Sequence, residues 1–105
     1  MTVCFGIDVS EHQDGISLVR AAAEGIEFAV VRTTDGTYRD RTYRSHIRDA
    51  LSATIPTEAY HYLRNPNEGT TIAAQVEAAV DVMGGAGSPW ARPIWLDCET
   101  PAGLS

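Results

Sequence analysis

Four short runs, three of them apolar and one (56–62) mixed, alternate along this chain with segments in which apolar residues recur at helical spacing. The runs occupy residues 3–7, 28–31, 56–62 and 93–96, and each is bounded by polar residues or turn formers. Near-continuous hydrophobicity, as in the first and last of these segments, is typical of strands in a parallel sheet that is covered on both faces. The sequence therefore predicts four buried parallel strands.

Helical segments fill the intervals between the runs. Asp14 can cap a helix that continues to about residue 24, and Asp40 can cap a second one. A third helix is predicted over 72–83, directly before the glycine-rich stretch 84–87. The resulting β-α-β-α-β-α-β order predicts an α/β fold with right-handed crossovers, in one small domain that comprises residues 1–105.

Two architectures fit this order. One is a doubly wound open sheet, and the other is the N-terminal half of a (β/α)8 barrel, whose full length is about 250 residues. A dinucleotide site is not supported, because residues 8–11 contain no glycine-rich loop after the first run. A barrel would gather the residues that follow its strands around one rim, which is where barrel active sites lie.

Three carboxylates follow strands in this pattern. Asp97 and Glu99 lie two residues apart at the end of the fourth run, so they leave a strand on the same face. Asp8 follows the first run, where its alternative role is to cap the next helix. Paired carboxylates at the mouth of a buried strand are costly unless chemistry uses them, and they are the working groups of glycoside hydrolysis.

The net charge and the hydropathy of the chain argue against nucleic acid and membranes as partners. The chain carries a formal net charge of −6, and all eight of its basic residues are arginine. No basic stripe is present to bind nucleic acid, and no apolar stretch approaches the ~20 residues that a membrane span needs. No leader opens the chain, which indicates synthesis in the cytoplasm or a leader already lost.

Several side chains that could take part in chemistry are predicted to have structural roles instead. Cys4 and Cys98 are expected to face different layers as free, half-buried thiols. We interpret His46 as a surface residue, His61 as a structural histidine and Trp95 as a core residue that faces the helices. The histidines are not spaced as metal ligands, so no metal and no cofactor are predicted.

Five motifs in register resemble the glycoside hydrolase family 25 lysozymes, which are N-acetylmuramidases of bacteria and phages. The matching positions are residues 6–10 with Gln13, 28–36, 56–62, Gln75 and the acidic signature at 93–99. Arg32 and Asp35 stand where lysine and glutamate are usual in that family, and they keep the charges. The resemblance covers nearly the whole chain and favours the half-barrel over an unrelated doubly wound binding domain.

The resemblance implies a lysozyme that acts on the bacterial cell wall without a cofactor. It would hydrolyse the bond between N-acetylmuramic acid and N-acetylglucosamine in peptidoglycan. Glu99 would be the general acid, and Asp97 would stabilise positive charge or orient the substrate's acetamido group. Asp8 would share a hydrogen-bond network with this pair and tune its charge.

Four side chains are candidates for substrate binding, and each has a structural alternative. Tyr60 contacts a sugar ring or fills the core. Arg32 and Asp35 bind substrate or form a structural salt bridge, and His12 contacts substrate or belongs to a plain loop. Trp90 forms a lid or packs on the surface.

A half-barrel raises the question of assembly, because four parallel strands cannot close. Open edges and an exposed inner face invite pairing with another chain. We therefore expect a homodimer or a complementing C-terminal half-barrel. The alternative to an enzyme is a non-catalytic half-barrel fragment, or an assembly unit, that retains the acidic signature without a closed site.

Overall fold

The computed structural model describes residues 4–99, which form one sheet with helices packed on one face. In chain order the strands are β1 (Gly6–Val9), β2 (Phe28–Asp35), β3 (Tyr38–Arg39), β4 (Thr57–Tyr62) and β5 (Ile94–Asp97). The helices are α1 (Leu18–Ala23), α2 (Tyr43–Ser52) and α3 (Ile72–Met83), with short 3₁₀ turns at Glu11–Gln13 and Pro66–Glu68. No helix within the described residues is long and apolar enough to cross a membrane.

The strand order identifies the architecture. β1, β2, β4 and β5 are parallel and adjacent in that order, while β3 pairs antiparallel with the end of β2. Each parallel strand lies beside its predecessor, as in a barrel wall; in a doubly wound sheet the strand order would reverse. The α/β half-barrel is therefore confirmed, and the doubly wound alternative is wrong.

β2 is longer than the apolar run that predicts it. It extends to Asp35, because the polar residues expected in a loop find polar partners in the neighbouring strand. Thr34 Oγ1 lies 2.5 Å from Nδ1 of His61, and the register of β2 against β4 shifts between Arg32 and Thr34. The chain then turns at Gly36, where φ is +60°, and returns as the unpredicted β3.

The first two helices begin later than their predicted caps. Ser17 caps α1 by accepting a hydrogen bond from the backbone N of Arg20, and Gly15, with φ of +93°, ends the preceding turn. Asp40 lies three residues before the start of α2, where its Oδ1 accepts hydrogen bonds from N and Oγ1 of Thr42 at 2.8 and 2.6 Å. Asp14 and Asp40 are therefore not the N-caps, whereas the predicted bounds of α3 are confirmed.

The core lies between the sheet and the helices. It is built by β1, β2 and β4, by α1 and α2, and by the residue that precedes β4. Its members are Val9, Leu18, Ala29, Val31, Tyr43, Ile47, Ala50, Ile55 and Ala59. The surface interpretation of His46 is wrong, because this side chain is buried on the inner side of α2 and its Nε2 lies 2.9 Å from the carbonyl of Ser10. That backbone acceptor comes from the far end of β1, so the helix pattern gave no sign of it.

His61 is a structural histidine, as predicted. It is buried, and its Nε2 lies 2.8 Å from Oε1 of Gln75 on α3. Because that oxygen is an acceptor, Nε2 carries the ring proton and Nδ1 accepts from the hydroxyl of Thr34. The three side chains connect β2, β4 and α3 without leaving a buried polar atom unpaired.

β5 departs from its prediction as a buried strand. Trp95 and Leu96 are each 62% exposed, and Ile94 is 42% exposed. Within residues 4–99, β5 and β1 are the edge strands of the parallel sheet. The strand is apolar, as predicted, but residues 4–99 do not cover it on both faces.

Candidate active site

An open cleft of about 420 Å³ lies on the face of the sheet opposite the helices, towards the carboxyl ends of the strands. Its lining comes from all four parallel strands: Asp8, Val30, Tyr60, Trp95, Leu96, Asp97 and Glu99. The strand register explains why these residues lie side by side. Asp8 pairs with Val30 across β1 and β2, and Tyr60 pairs with Trp95 across β4 and β5. The three predicted catalytic carboxylates and Tyr60 thus share one cleft.

Asp97 and Glu99 interact directly. A hydrogen bond with Asp97 raises the pKa of Glu99 above its ordinary value, and the negative charge of Asp97 adds to the rise. Partial desolvation and the charge of Asp8 act in the same direction on the pKa of Glu99. Two neighbouring carboxyl groups cannot both ionise at their usual pH, so this cleft holds a proton on Glu99 to a higher pH than an isolated glutamate would.

The proton on Glu99 can be tested without any activity assay. We expect Asp97→Asn to lower the pKa of Glu99, because the substitution removes the neighbouring charge and lets the new amide donate to the ionised carboxylate. Carbon-13 NMR titration of the Glu99 carboxyl group measures the change. Asp81→Asn, on α3 and ion-paired with Arg39, is the matched control and should leave the pKa of Glu99 unmoved. An unchanged Glu99 titration in Asp97→Asn would contradict the coupling.

Tyr60 presents a protonated hydroxyl to the same cleft. It is half-buried, and this burial raises its pKa to about 12, with Arg32 opposing the rise and the carboxylates of Asp8 and Asp97 reinforcing it. The phenol therefore keeps its proton, and can donate a hydrogen bond, at neutral pH. This position favours the cleft-lining interpretation of Tyr60 over that of a core aromatic.

Arg32 is held by carboxylates rather than offered to the cleft. Its side chain is 9% exposed; Nε lies 2.9 Å from Asp40 Oδ2, and Nη2 lies 3.0 Å from Glu11 Oε1. Asp35 is more distant, with its Oδ2 3.8 Å from Nη1 of Arg32. Burial raises the pKa of Asp40, but hydrogen bonds from Thr42, from the backbone of Glu11 and from Arg32 outweigh it, so the pKa ends below its ordinary value.

Asp35 is the centre of a second ion pair at the rim. Nε and Nη2 of Arg64 donate to its two oxygens at 2.5 and 2.9 Å. These bonds lower the pKa of Asp35 despite its partial burial. The guanidinium of Arg64 also lies 4.7 Å from the centre of the Tyr62 ring. For both Arg32 and Asp35 the structure favours the salt-bridge alternative.

His12 and the two cysteines lie apart from the cleft lining. His12 is exposed in the 3₁₀ turn after β1, where its backbone N donates to Oγ of Ser10 at 3.2 Å. Cys4 and Cys98 are free, as predicted, but both are exposed, not half-buried. Cys4 Sγ lies 3.4 Å from a carboxylate oxygen of Glu27. Among residues 4–99, no group of three or more histidine, cysteine or acidic side chains is arranged to hold a metal ion.

Trp95 is the cleft residue that the sequence interpretation missed. The prediction that Trp95 faces the helices is wrong: residues two apart on a strand share a face, so Trp95 lies on the side of Asp97 and lines the cleft. Its indole Nε1 donates to a carboxylate oxygen of Glu58, which fixes the ring across β4 and β5. The two-residue period of β5 was the signal that could have placed it.

Comparisons with known proteins agree with this geometry. A family model described as glycosyl hydrolases family 25 matches residues 7–104. Lysozyme M1 of Streptomyces globisporus is 34% identical over 106 aligned positions, which cover 93% of this chain and 34% of that protein.

Solved structures show the same relationship in three dimensions. The crystal structure of a bacterial lysozyme from Streptomyces coelicolor superposes with a TM-score of 0.72 at 31% identity, covering 92% of this chain and 45% of that one. A family GH25 lysozyme from Aspergillus fumigatus gives a TM-score of 0.73 at 28% identity, covering 90% and 46%. The chain therefore spans between a third and a half of the length of these relatives.

Proposed function

Because this chain belongs to glycosyl hydrolase family 25, we propose that it supplies the N-terminal half of the catalytic domain of a peptidoglycan-degrading muramidase. The reaction would be hydrolysis of the glycosidic bond between N-acetylmuramic acid and N-acetylglucosamine in the bacterial cell wall. The observation that carries the proposal is the joint placement of Asp8, Asp97 and Glu99 in one cleft at the strand ends. The similar solved structures from Streptomyces coelicolor and Aspergillus fumigatus are both described as lysozymes, which supports the proposal.

Glu99 is proposed as the general acid. Cleavage of a glycosidic bond needs a proton on the leaving oxygen, so the donor must remain protonated at the working pH. The raised pKa of Glu99 meets that need, and its exposure in the open cleft lets it reach a substrate oxygen. As the pH rises through the pKa of Glu99, the acid is lost and the rate should fall.

Asp97 and Asp8 are proposed as charged partners of that acid. An ionised Asp97 beside Glu99 would stabilise the positive charge that develops on the sugar ring, or hold the acetamido group of the substrate in place for attack. Asp8 faces the same cleft from β1 and adds negative charge near Glu99. The charge of Asp8 therefore helps to keep Glu99 protonated, while Asp8 itself donates no proton.

Sugar contacts are proposed for the two aromatic residues of the cleft. Tyr60 would donate a hydrogen bond through its hydroxyl, and the exposed ring of Trp95 offers a flat apolar surface beside it. Arg32 and Asp35 would contribute indirectly, because their charged atoms are already paired. Their ion pairs would hold the rim of the cleft in the shape that the substrate contacts. His12, exposed on the turn after β1, would contact more distant parts of the glycan.

A second candidate function rests on the exposed edge strand. Trp95 and Leu96 of β5 lie largely in solvent when residues 4–99 are considered alone. A chain in this state would be a half-barrel that needs a partner, as a homodimer or with a complementing C-terminal half. Alone, it would retain the acidic cleft without the closed site that excludes water and completes the rim.

One experiment separates these candidates. Light scattering at micromolar concentration gives the mass of the 105-residue chain, and a cell-wall turbidity assay with analysis of the new reducing ends gives its activity. We expect association beyond the 11.3 kDa monomer and weak or no hydrolysis by the chain alone.

The same assay then follows a chimaera in which this chain is completed with the C-terminal half of the Streptomyces coelicolor lysozyme. We expect the chimaera to produce glycan fragments whose new reducing end is N-acetylmuramic acid. An inactive but folded chimaera would contradict the muramidase proposal. A stable, active monomer of the 105-residue chain would contradict the half-domain interpretation.

A further inference from the structure

Three arginines and one tryptophan form a surface group, here called the arginine–tryptophan cluster: Arg44, Arg48, Trp90 and Arg92. Arg44 and Arg48 lie one turn apart on α2, and their guanidinium carbons lie 5.4 and 5.5 Å from the centre of the Trp90 ring. Trp90 is half-buried in the segment between α3 and β5. The cluster is therefore a pair of cationic groups held on one aromatic platform.

Arg92 joins the cluster from the start of the sheet. Its Nε donates to Oγ1 of Thr57, the first residue of β4, at 2.7 Å. The hydroxyl of Tyr43 donates to the carbonyl of Trp90 at 2.6 Å. The positive charges of Arg92 and Arg44 both lie near enough to this hydroxyl to oppose the rise in its pKa that burial causes. The cluster thus lies at the amino end of the strands and on the helix layer, away from the carboxylate cleft.

The charge pairing of the arginines is uneven. Five of the eight have a carboxylate within 4 Å: Arg20, Arg32, Arg39, Arg41 and Arg64. The three arginines of the cluster are those without such a partner among residues 4–99. In a chain with fourteen acidic residues and a net charge of −6, this local excess of unpaired positive charge stands out.

The geometry suits a phosphate ligand. A guanidinium that lies over an indole at cation–π distance keeps N–H groups free at its edge, and that edge matches two oxygens of a phosphate group. In the described structure Arg44 uses only its Nε, to the carbonyl of Val82 at 3.2 Å, and Arg48 makes the ring contact alone. The contact with Trp90 favours one placement of each arginine before any ligand arrives, which lowers the entropy lost on binding.

We propose that the arginine–tryptophan cluster is a secondary binding site for a polyol-phosphate polymer of the cell wall, a teichoic-acid type of chain. The proposal rests on the proposed function, which brings the protein to a wall where such polymers are joined to the glycan. Nucleic acid is the less favoured polyanion, because its binding usually needs many more phosphate contacts and the rest of this chain is strongly acidic. Binding here would hold the protein on the wall while leaving the cleft free.

The test measures binding, with the Glu99→Gln substitution in every protein so that hydrolysis plays no part. The probes are Gram-positive cell walls with their teichoic acid, and the same walls after hydrofluoric acid has removed the phosphodiester-linked polymer. We expect co-sedimentation with intact walls to fall about fivefold on removal of the polymer. Arg44→Gln with Arg48→Gln should cause a similar loss, which low salt enlarges.

Arg20→Gln is the matched control, since it removes one exposed arginine of α1 far from Trp90. It should change wall binding less than twofold, whereas the single variant Arg48→Gln should show a clear loss with an unchanged melting temperature. Equal losses for Arg20→Gln and Arg48→Gln, or no effect of polymer removal, would overturn the proposal. Displacement from walls by oligothymidylate or inorganic phosphate as effectively as by deacylated teichoic acid would also overturn it. Failure of the muramidase assay would leave these binding results unaffected.

Discussion

We expect Glu99→Gln to lower the muramidase activity of a closed barrel containing this chain by about 10²–10⁴-fold, which is what loss of a general acid typically costs. Glutamine keeps the size of the side chain but cannot deliver a proton to the leaving oxygen. Because Glu99 is exposed and its hydrogen bond is to Asp97 of the same cleft, the fold should be unaffected. Release of reducing ends from purified peptidoglycan measures the rate, and circular dichroism checks the fold.

Two further variants give this result its meaning. Asp97→Asn should cost a comparable factor, through loss of charge stabilisation and not through loss of the proton. Glu77→Gln, an exposed carboxylate on α3, is the matched control and should retain the wild-type rate. If Glu99→Gln kept the rate of Glu77→Gln, the assignment of the acid would be wrong.

Arg32→Met should destabilise the chain by about 3–5 kcal/mol, the cost usually found when one partner of a buried ion pair is removed. The side chain of Asp40 is 0% exposed, so its carboxylate would lose its cation without gaining water. Glu11 would lose its guanidinium partner as well, which loosens the turn after β1. Urea unfolding followed by circular dichroism measures the change in the free energy of unfolding.

Arg20→Met is the control for Arg32→Met. The Arg20–Glu24 pair on α1 has side chains 83% and 72% exposed, and such exposed pairs contribute at most about 1 kcal/mol. A cost for Arg32→Met no larger than that of Arg20→Met would show that the buried network contributes little.

The cost of Arg32→Met should also depend on pH in a defined direction. The pKa of Asp40 is lowered in the folded state, so the stability that its charge contributes is fully present above the ordinary aspartate pKa of about 3.9. That stability is lost as the pH falls through the lowered folded pKa. The difference between the wild type and Arg32→Met should therefore be full at neutral pH and shrink below about pH 4.

The candidate site was predictable from local sequence because its key residues are placed by strand period alone. Asp97 and Glu99 had to leave β5 on one face, and a parallel sheet had to bring Asp8 to the same edge. Trp95 obeys the same period, and its assignment to the helix side was an error of reading, not a limit of the sequence. The roles of the cleft residues remain predictions.

Polar residues whose partners are distant in sequence were harder to place. His46 lies on a helix with many charged neighbours, and only the approach of the Ser10 carbonyl from β1 makes it a buried residue. Arg32 likewise could be placed at the rim, but its pairing with Asp40 and Glu11 depends on how β2 turns into β3. Side-chain chemistry indicates that such groups need partners, but not which ones they find.

By itself, the sequence determined the alternation of parallel strands and helices and the acidic edge, because hydrophobic period and the handedness of crossovers leave few alternatives. The choice of the half-barrel over the doubly wound sheet came from the family resemblance and then from the observed strand order. Only the tertiary structure decided which charges are paired and which surfaces are open. It placed Arg32 in a buried network, set Arg44 and Arg48 over the ring of Trp90, and left β5 at an exposed edge. The physical reason is range: period acts between neighbours along the chain, whereas pairing and burial depend on residues that meet only when the chain is folded.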